Sequence, residues 1–394
     1  MRKQKRSIAL VSQYFHPLKN PPAKRLHAFA RWLSDNYEVA VITGQPNYPD
    51  GKLKDGYTPF FKRECLDGIR VYRYPEIPLP IDGGIKPIIN YSSFALSLFL
   101  AAPRIARYGM VLISSPPFPQ AIIAFALARL FRKKIMLDIR DLWPESAAEL
   151  RMMNRNGLLF RTLECINRYM IRKADHVITI SETLCEHIKK EYHKKHVSIV
   201  TNFAKDPQDK QLRTGIRSHS PLRIVFTGII TRAQALDVFL EKFDRKAASR
   251  RKYRIDIIGD GQGRRDVEVV IKKRDMHYVR MHGYRSKEYC DEMIRKADIG
   301  LITLDEESPL FRKALPSKFF EYIAHGKPVI ANTSLELKKI IQKHKCGWFL
   351  QGDTYDMDPT DIDKKAEAAV SLFHKKYKEE KVRGRLIQVV RDVE

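Results

Sequence analysis

Short, nearly continuous runs of Val, Ile and Leu alternate with amphipathic segments along most of this chain. Such runs are typical of strands buried on both faces of a parallel sheet, and the segments between them have the apolar spacing of helices. The pattern indicates an α/β fold. In the first half it predicts strands at 7–15, 38–44, 69–75, 110–115, 134–140, 176–181 and 197–202, and helices around 23–36, 90–108, 118–131, 155–174 and 183–192.

A polar segment, residues 206–221, interrupts the alternation and has the Pro, Gly and Ser content of a linker. The sequence therefore predicts two doubly wound, Rossmann-like domains, residues 1–205 and 222–394, which suits a chain of 394 residues. Ligands of such sheets bind beyond the carboxyl ends of the strands, so we expect a site in a cleft between two facing domains. The strands predicted in the second half are 222–228, 253–260, 279–283, 299–304, 328–332 and 347–351.

The chain is strongly basic, with 72 Lys and Arg against 46 Asp and Glu and a net charge of +26. Such a surface attracts nucleic acid, anionic lipid or diphosphate-bearing ligands, and the plain alternative is a solvated basic surface. Five scattered cysteines without a CxxC pair are unlike a zinc site or a disulfide framework, and they suit a reducing compartment. The basic, then apolar start indicates a buried first strand rather than a signal peptide.

One stretch, residues 87–103, carries no charge and is nearly long enough to span a membrane. Proline at both ends and the polar residues near its start favour a helix that is buried in the core or lies at a membrane surface. A spanning helix is the third alternative.

The segment "PSKFFEYIAHGKP", residues 316–328, predicts a short helix. Ser317 is placed as its N-cap, and Gly326 followed by Pro328 ends it. The free amides of residues 317–319, the positive helix end and the Lys318 ammonium would together bind an anion. Glu321 lies about one turn further in, on the order of 5 Å along the axis, where it would accept hydroxyl hydrogen bonds from a ribose attached to a diphosphate. The alternative is that Glu321 is an ordinary exposed helix residue.

This segment and the motifs around it resemble the family-4 retaining glycosyltransferases of the GT-B fold. The resemblance extends over nearly the whole chain, and the order and spacing of its pieces make it specific. It is closest to the branch that transfers N-acetylamino sugars, N-acetyl-fucosamine among them, onto lipid-linked intermediates of bacterial O-antigen or capsule assembly. The matching pieces are "QYFHP" (13–17), "GQPNYPDGK" (44–52), "SSPP" (114–117), "DIRDLWPES" (138–146), "RKADHVITIS" (172–181), "FTGIITRAQALD" (226–237), "IIGDGQGR" (257–264) and "HGYRSKEY" (282–289).

The resemblance implies a donor site in the second domain. Glu321 matches the second Glu of the family's E-x7-E motif, which holds the donor ribose, whereas the first Glu of that motif is replaced here by Lys313. Lys313 is expected to pair with phosphate, or Glu306 or Glu307 substitutes for the missing Glu. The diphosphate is assigned to Arg232, Lys318 and the helix start, and the base to the turn at Tyr284. The full set of expected donor-binding residues is Gly228, Arg232, Gln234, Gly259, Asp260, Tyr284, Lys313, Ser317, Lys318 and Glu321.

The resemblance also implies an acceptor site in the first domain, where a carboxylate or a histidine must lie within hydrogen-bond reach of the attacking hydroxyl. Asp141 and Glu145 of "RDLWPES" and His16 after the first strand are the candidate catalytic residues. The alternative is a structural Arg140–Asp141 pair with Trp143 in the core. Relatives often carry glycines where this chain has Asn20 followed by two prolines, so cations are expected to supply the charge. The expected acceptor-side residues are Lys19, Arg25 and Arg140.

The resemblance thus predicts a GT-B glycosyltransferase that takes a UDP-sugar, expected to carry an N-acetylamino sugar, needs no metal or other cofactor and does not bind nucleic acid. Its acceptor is expected to be a polyprenyl-diphosphate-linked saccharide, which places the protein in the cytoplasm, peripherally on the inner face of the bacterial plasma membrane. One alternative is a UDP-sugar 2-epimerase of the same architecture, which would isomerise the donor without an acceptor. Another is a non-catalytic, basic nucleic-acid-binding protein, although no such motif is present.

Overall fold

The structure is a computed structural model that describes residues 6–81, 84–149, 153–207, 221–246, 253–307, 315–350 and 359–394. Its internal contacts divide the chain into two compact units, Met1–Val200 with Arg383–Glu394, and Thr201–Val382. The predicted linker lies almost entirely outside the described residues.

The first unit alternates strands and helices as the sequence pattern predicts. Its strands are β1 (Ser7–Ser12), β2 (Glu38–Thr43), β3 (Lys62–Leu66), β4 (Ile69–Arg73), β5 (Met110–Ser115), β6 (Lys134–Ile139), β7 (His176–Thr179) and β8 (Val197–Ile199). Its helices are α1 (Pro21–Ser34), α2 (Lys86–Ser97), α3 (Ala102–Ile105), α4 (Phe118–Leu130), α5 (Glu145–Glu149), α6 (Leu158–Lys173) and α7 (Glu182–Tyr192).

These strands form one sheet of eight, in the order β3-β4-β2-β1-β5-β6-β7-β8. Apart from β3, every strand pairs in parallel with its neighbours. The carboxyl ends of β1, β2, β4, β5 and β6 therefore meet at one edge of the sheet, where parallel sheets hold their ligands. The strand residues are mostly buried, as sheets covered by helices on both faces require.

Strand β3 is the one strand of this sheet that the apolar pattern does not predict. It pairs antiparallel with β4 across the two-residue turn Asp67-Gly68, in which both residues have positive φ. An Asp-Gly pair is a strong hairpin signal because both positions need this left-handed conformation. The strand was missed because it lies at the sheet edge, where half-buried and exposed residues alternate and leave no apolar run.

A continuous helical run, Lys86–Ile105, comprises α2, a 3₁₀ turn (Leu98–Ala101) and α3. It is long and apolar enough to cross a membrane, yet a third of it is buried within the protein. Phe94, Leu98 and Ile105 are fully buried in the core of the first unit. The run is therefore a core helix on one side, and its other side is exposed.

The second unit contains a parallel sheet of six strands in the order β11-β10-β9-β12-β13-β14. The strands are β9 (Leu222–Thr227), β10 (Tyr253–Ile258), β11 (Val279–Gly283), β12 (Ile299–Ile302), β13 (Val329–Ala331) and β14 (Gly347–Phe349). The helices are α8 (Leu236–Lys246), α9 (Arg264–Lys273), α10 (Lys287–Lys296), α11 (Ser317–Ala324), α12 (Leu335–His344) and α13 (Ile362–Leu372). Both units therefore have the predicted Rossmann-like architecture.

The last helix, α14 (Glu379–Val393), corrects the predicted domain division. The sequence pattern assigns everything from 222 to 394 to the second domain, but Arg383–Glu394 groups with the first unit. Arg383 pairs there with Asp35, and Glu394 pairs with Arg6. Alternation of strands and helices carries no information about which core the final helix joins, so only the packing decides it.

Candidate functional site

Helix α11 is fixed to the second sheet by Tyr322, which is fully buried. The Tyr322 hydroxyl accepts a hydrogen bond from the Thr227 amide at 3.0 Å, at the carboxyl end of β9. A Cβ at Gly300 in β12 would lie 2.3 Å from the Tyr322 ring, so glycine is needed for the ring to pack there. These contacts place the amino end of α11 beside the carboxyl end of β9, where a ligand of the sheet would bind.

The start of α11 differs in detail from the sequence prediction. Pro316 is the N-cap and Ser317 is the first helical residue, without a side-chain capping bond. The Phe319 amide donates to the Pro316 carbonyl at 3.1 Å, so it is not a free donor as expected. Within the described residues the Ser317 and Lys318 amides make no hydrogen bond, and they remain to serve as anion donors.

Lys318 is half-buried, and its ammonium lies 3.5 Å from the centre of the Phe226 ring. A Cβ at Gly228 would lie 2.8 Å from Lys318 Cε, so Gly228 leaves the room in which Lys318 lies. Burial lowers the pKa of Lys318 to about 7, and Glu321 opposes that shift. A bound diphosphate would supply the negative charge that favours the ammonium form.

Gly259 brings the turn after β10 against the turn after β9. A Cβ at Gly259 would lie 1.8 Å from the Gly228 carbonyl oxygen, and its φ of +151° also favours glycine. Asp260 accepts from the Gly261 amide at 2.8 Å and pairs with Arg264 at 2.9 Å. Asp260 therefore shapes this turn through contacts with its own loop and with α9.

Glu321 lies on the exposed side of α11, and its carboxylate pairs with the Lys287 ammonium at 3.2 Å. Lys287 also pairs with Asp291 at 2.8 Å. Burial lowers the pKa of Lys287, but the two carboxylates outweigh it and the pKa is raised. Sequence reasoning missed Lys287, because its proximity to Glu321 depends on the packing of α10 beside α11.

The remaining expected donor residues that the structure describes follow the carboxyl ends of strands in the second sheet. Arg232 is exposed and has one weak ion pair, 3.6 Å to Asp266, and the buried Oε1 of Gln234 has no partner within the described residues. Tyr284, after β11, is 82% exposed. Lys313 lies outside the described residues, and Glu306 is engaged by Lys242 at 2.9 Å and by Asn332 at 3.2 Å.

In the first unit, Arg25 is not placed as the acceptor-side prediction expects. Its side chain is 1% exposed and pairs at 2.8 Å with Asp138, which is 0% exposed. Arg25 also donates to the Val200 carbonyl at 2.7 Å. This buried pair joins α1 to β6 and to the chain after β8. The loop before it departs from the phosphate-binding pattern, since Pro21 and Pro22 occupy the first turn of α1 and remove two amide donors.

Arg140 and Asp141 lie together at the carboxyl end of β6, but they do not form the structural ion pair that was the alternative to a catalytic role for Asp141. Arg140 approaches Asp138 at 3.9 Å and donates to the Pro116 carbonyl, and burial lowers its pKa to about 10. Asp141 Oδ1 accepts from the Leu142 amide at 2.9 Å and from Ser146 Oγ. Burial raises the pKa of Asp141, and these two bonds partly oppose the shift.

Glu145 and His16 face other neighbours. Glu145 Oε1 accepts from the Tyr192 hydroxyl at 2.7 Å, and its buried Oε2 has no partner within the described residues. The Glu145 carboxylate is therefore held by Tyr192 at the end of α7. His16 is exposed, and its ring stacks on His27 of α1 with centres 4.8 Å apart. Lys19 is exposed in the same loop.

A buried polar network at the carboxyl ends of β1, β2 and β4 was not predicted from the sequence. Glu76 accepts from Gln13 Nε2 at 2.7 Å and from the Gln45 amide at 2.8 Å. Gln13 also donates to Asn90 of α2 at 2.8 Å, and Asn90 approaches Asn47 at 3.4 Å. Burial raises the pKa of Glu76 to about 7 despite these bonds. The sequence signal is an amide or acid within a few residues of the end of each strand.

Two family models match the chain. The "Glycosyl transferase 4-like domain" matches residues 22–202, and "Glycosyl transferases group 1" matches residues 221–374. The chain is a glycosyltransferase of the GT-B fold.

No group of three or more His, Cys, Asp or Glu that could hold a metal ion is found among the residues that the structure describes.

Similar proteins agree with this assignment. The "Putative colanic acid biosynthesis glycosyl transferase WcaI" of Escherichia coli K12 is 23% identical over 75% of this glycosyltransferase and 75% of its own length. A sucrose-phosphate synthase from Thermosynechococcus elongatus shares the fold, with a TM-score of 0.72, 13% identity and coverage of 98% and 99% of the two chains. HepE from Anabaena, solved in complex with UDP, has a TM-score of 0.68, 10% identity and coverage of 98% and 100%.

Proposed function

We propose that this glycosyltransferase moves a sugar, with retention of configuration, from a UDP-sugar to a lipid-linked saccharide. The sugar is an N-acetylamino sugar, and the product belongs to a bacterial surface polysaccharide. The observation that carries the proposal is the start of α11, where two amides, Lys318 and Glu321 lie within one turn beside the carboxyl end of β9. The name of WcaI and the UDP complex of HepE support the polysaccharide and the donor, respectively.

The donor is held through its diphosphate and its ribose. The diphosphate accepts hydrogen bonds from the Ser317 and Lys318 amides at the positive end of α11, and the Lys318 ammonium adds a charge. The ribose hydroxyls donate to the Glu321 carboxylate, which Lys287 already orients. The exposed Tyr284 ring lies at the end of β11, on the side of the sheet where a base is expected.

Departure of UDP places growing negative charge on the leaving diphosphate. The dipole of α11 and the Lys318 ammonium stabilise this charge, as preorganised donors do in other transfer reactions. The half-buried position of Lys318 against Phe226 strengthens its interaction with an anion relative to an exposed lysine.

Asp141 is the best of the candidate bases for the acceptor hydroxyl. Its Oδ1 is occupied by Leu142 and Ser146, while its Oδ2 makes no hydrogen bond within the described residues. The raised pKa makes this carboxylate a stronger base. Glu145 is held by Tyr192, and His16 stacks on His27, so both are less suited to the role.

A bilayer surface fits the exposed side of the Lys86–Ile105 run, which supports a lipid-linked acceptor and a peripheral position on the cytoplasmic membrane face. At 100° per residue its exposed apolar residues fall within about a third of the helix circumference. Lys86, Arg104 and Arg107 flank this side and would attract anionic lipid. These exposed residues form the apolar face, which consists of Ile85, Ile88, Ile89, Leu96, Phe99 and Leu100.

A donor and acceptor screen tests the proposal. Thermal shifts are measured with UDP, GDP and their sugars, and transfer is then assayed with a polyprenyl-diphosphate saccharide. We expect UDP and a UDP-N-acetylamino sugar to stabilise the protein, and sugar transfer to require the acceptor. Isomerisation of the donor without an acceptor would support an epimerase instead, and no response to UDP would contradict the donor assignment.

A further inference from the structure

A pocket of 440 Å³ lies at the amino edge of the first sheet, the edge opposite to the one that holds ligands in parallel sheets. Four arginines and one glutamate line it, which leaves an excess of positive charge. We call it the basic pocket. Its wall is formed by the starts of β1, β2 and β4 and by the segment before β5. The lining residues include Glu38, Arg70, Tyr72, Arg104, Arg107 and Tyr108.

Arg104 is held in place by aromatic side chains. Its Nη1 donates to the Tyr74 hydroxyl at 2.8 Å, and its guanidinium lies 4.7 Å from the Tyr72 ring centre and 5.0 Å from that of Phe61. A guanidinium fixed in this way loses little further freedom when it binds an anion.

The other three cations differ in their pairing. Arg6 pairs with Glu394 and Arg70 with Glu38, so two positive charges of the pocket are largely compensated. Arg107 is exposed and forms no ion pair within the described residues. The charge of Arg104 also has no carboxylate partner there, since its contacts are a phenol and aromatic rings. Two uncompensated guanidinium groups therefore border one cavity.

The Tyr108 phenol lies near two of the pocket's cations, Arg70 and Arg107, and near its glutamate. Burial raises the pKa of Tyr108, Arg70 and Arg107 act on the same phenol to lower it, and Glu38 raises it. The Tyr108 side chain is 5% exposed, so it is a buried part of the pocket lining, whereas Arg107 is exposed.

We propose that the basic pocket binds a phosphate-bearing anion. Guanidinium groups bind phosphate oxygens in a bidentate manner, and the pocket volume is that of a small-molecule site. The ligand is either a soluble phosphate ester or the headgroup of an anionic phospholipid, because the apolar face leads along the same helical run to Arg104 and Arg107. This site is separate from the sugar-transfer site, and its test does not depend on transfer activity.

Two probes distinguish the sources, glycerol 1-phosphate by isothermal titration and phosphatidylglycerol vesicles by flotation. The test variant is Arg107→Glu, and Arg70→Lys keeps the charge while removing the planar fork. Lys190→Glu on α7, beside the far end of the sheet, makes the same charge change as Arg107→Glu. Lys86→Glu, at the other end of the helical run, shows the effect of local charge alone.

We expect Arg107→Glu to weaken glycerol 1-phosphate binding at least about tenfold, and Arg70→Lys to weaken it less, while both Lys variants bind normally. The ligand is the lipid headgroup if two results are found together. Only the vesicles bind, and the loss of vesicle affinity in Arg107→Glu is at least about tenfold larger than in Lys86→Glu or Lys190→Glu. Equal losses in all three Glu variants, or no binding of either probe to the wild type, would overturn the proposal and leave a solvated ion-pair cluster. Circular dichroism confirms that each variant is folded.

Discussion

Lys318 lies in the space that a side chain on residue 228 would fill: a Cβ there would lie 2.8 Å from Lys318 Cε and 3.4 Å from its ammonium. The absence of a side chain at the end of β9 thus determines where the cation at the start of α11 lies. We expect Gly228→Ala to displace Lys318 and to weaken UDP binding at least about tenfold, the loss of one charge-assisted hydrogen bond.

Backbone strain must be separated from this displacement, because Gly228 has a φ of +123°. Gly56→Ala is the matched control, since Gly56 also has a positive φ and nothing within 4 Å of a Cβ. Titration calorimetry with UDP should show a loss for Gly228→Ala alone. Normal affinity in Gly228→Ala would mean that Lys318 does not contact the diphosphate.

Glu321→Gln tests the ribose contact. The amide keeps the shape of the side chain but weakens two charge-assisted hydrogen bonds, each worth about 1.5–3 kcal/mol, so UDP affinity should fall at least about tenfold. Titrations with uridine or UDP measure the affinity of the variant and of the wild type. Glu321 is partly exposed, so the free energy of unfolding should change little. If UDP affinity is unchanged, the assignment of the ribose to Glu321 is wrong.

Asp141→Asn should lower the turnover of sugar transfer about 10²-fold or more, because an amide cannot accept the acceptor proton. UDP affinity should be preserved. The asparagine oxygen can still accept from Leu142 and Ser146, so the loop should keep its conformation. Glu145→Gln is the control and should retain most of its turnover. If both variants turn over normally, the base lies elsewhere and His16→Ala is the next test.

The apolar face is tested by replacing Leu96, Phe99 and Leu100 with Ser, since each is more than half exposed. Burying such side chains is worth about 1.5–3 kcal/mol each at most, so the salt-resistant part of vesicle binding should be lost while the protein stays folded. The substitutions Phe94→Ser and Leu98→Ser should instead unfold the first unit, because both side chains are fully buried.

Leu158→Ser and Leu159→Ser on α6 remove comparably exposed apolar side chains outside the apolar face and should leave flotation unchanged. Flotation over a salt series separates the charge contribution, which decays within a Debye length. Equal flotation of wild type and the Leu96, Phe99 and Leu100 variant would contradict the membrane proposal. Equal binding to neutral and anionic vesicles would remove the role of charge.

Glu76 predicts a pH dependence of stability. Its pKa is raised to about 7 in the folded state, against an ordinary value of 4.5. Between these values the folded state holds a proton that the unfolded state releases, so stability falls as pH rises from about 4.5 to 7, by at most about 3 kcal/mol. Glu76→Gln lacks this dependence. Its free energy of unfolding relative to wild type should therefore increase over the same pH range and then level off.

Urea unfolding of both proteins checks this pH dependence. Unfolding is monitored by the fluorescence of Trp32 and Trp143 in a Trp348→Phe background, so that the signal reports on the first unit. The side-chain amide introduced by Glu76→Gln has one oxygen and cannot replace both carboxylate oxygens that accept from Gln13 and Gln45, so the variant starts with a pH-independent loss. Parallel stability curves across this pH range would show that Glu76 is ionised in the folded state.

The sequence alone determined the α/β class, the positions of nearly all strands along the chain and the helix that begins at Ser317. Strands buried on both faces must be continuous apolar runs, and a helix start depends on local residues such as Pro316 and Lys318. These are signals that neighbouring residues carry together. The Asp67-Gly68 turn is another such local signal, since its two residues are adjacent in the chain.

Only the tertiary structure decided which side chains meet. Arg25, expected near the acceptor, is buried against Asp138, and Glu321 faces Lys287. Glu76, after β4, takes its partners from the ends of β1 and β2, and the residues after Val382 join the first unit. Each of these pairs joins elements that are distant in sequence, so its distance is set by how helices pack on a sheet, and no local pattern encodes that packing.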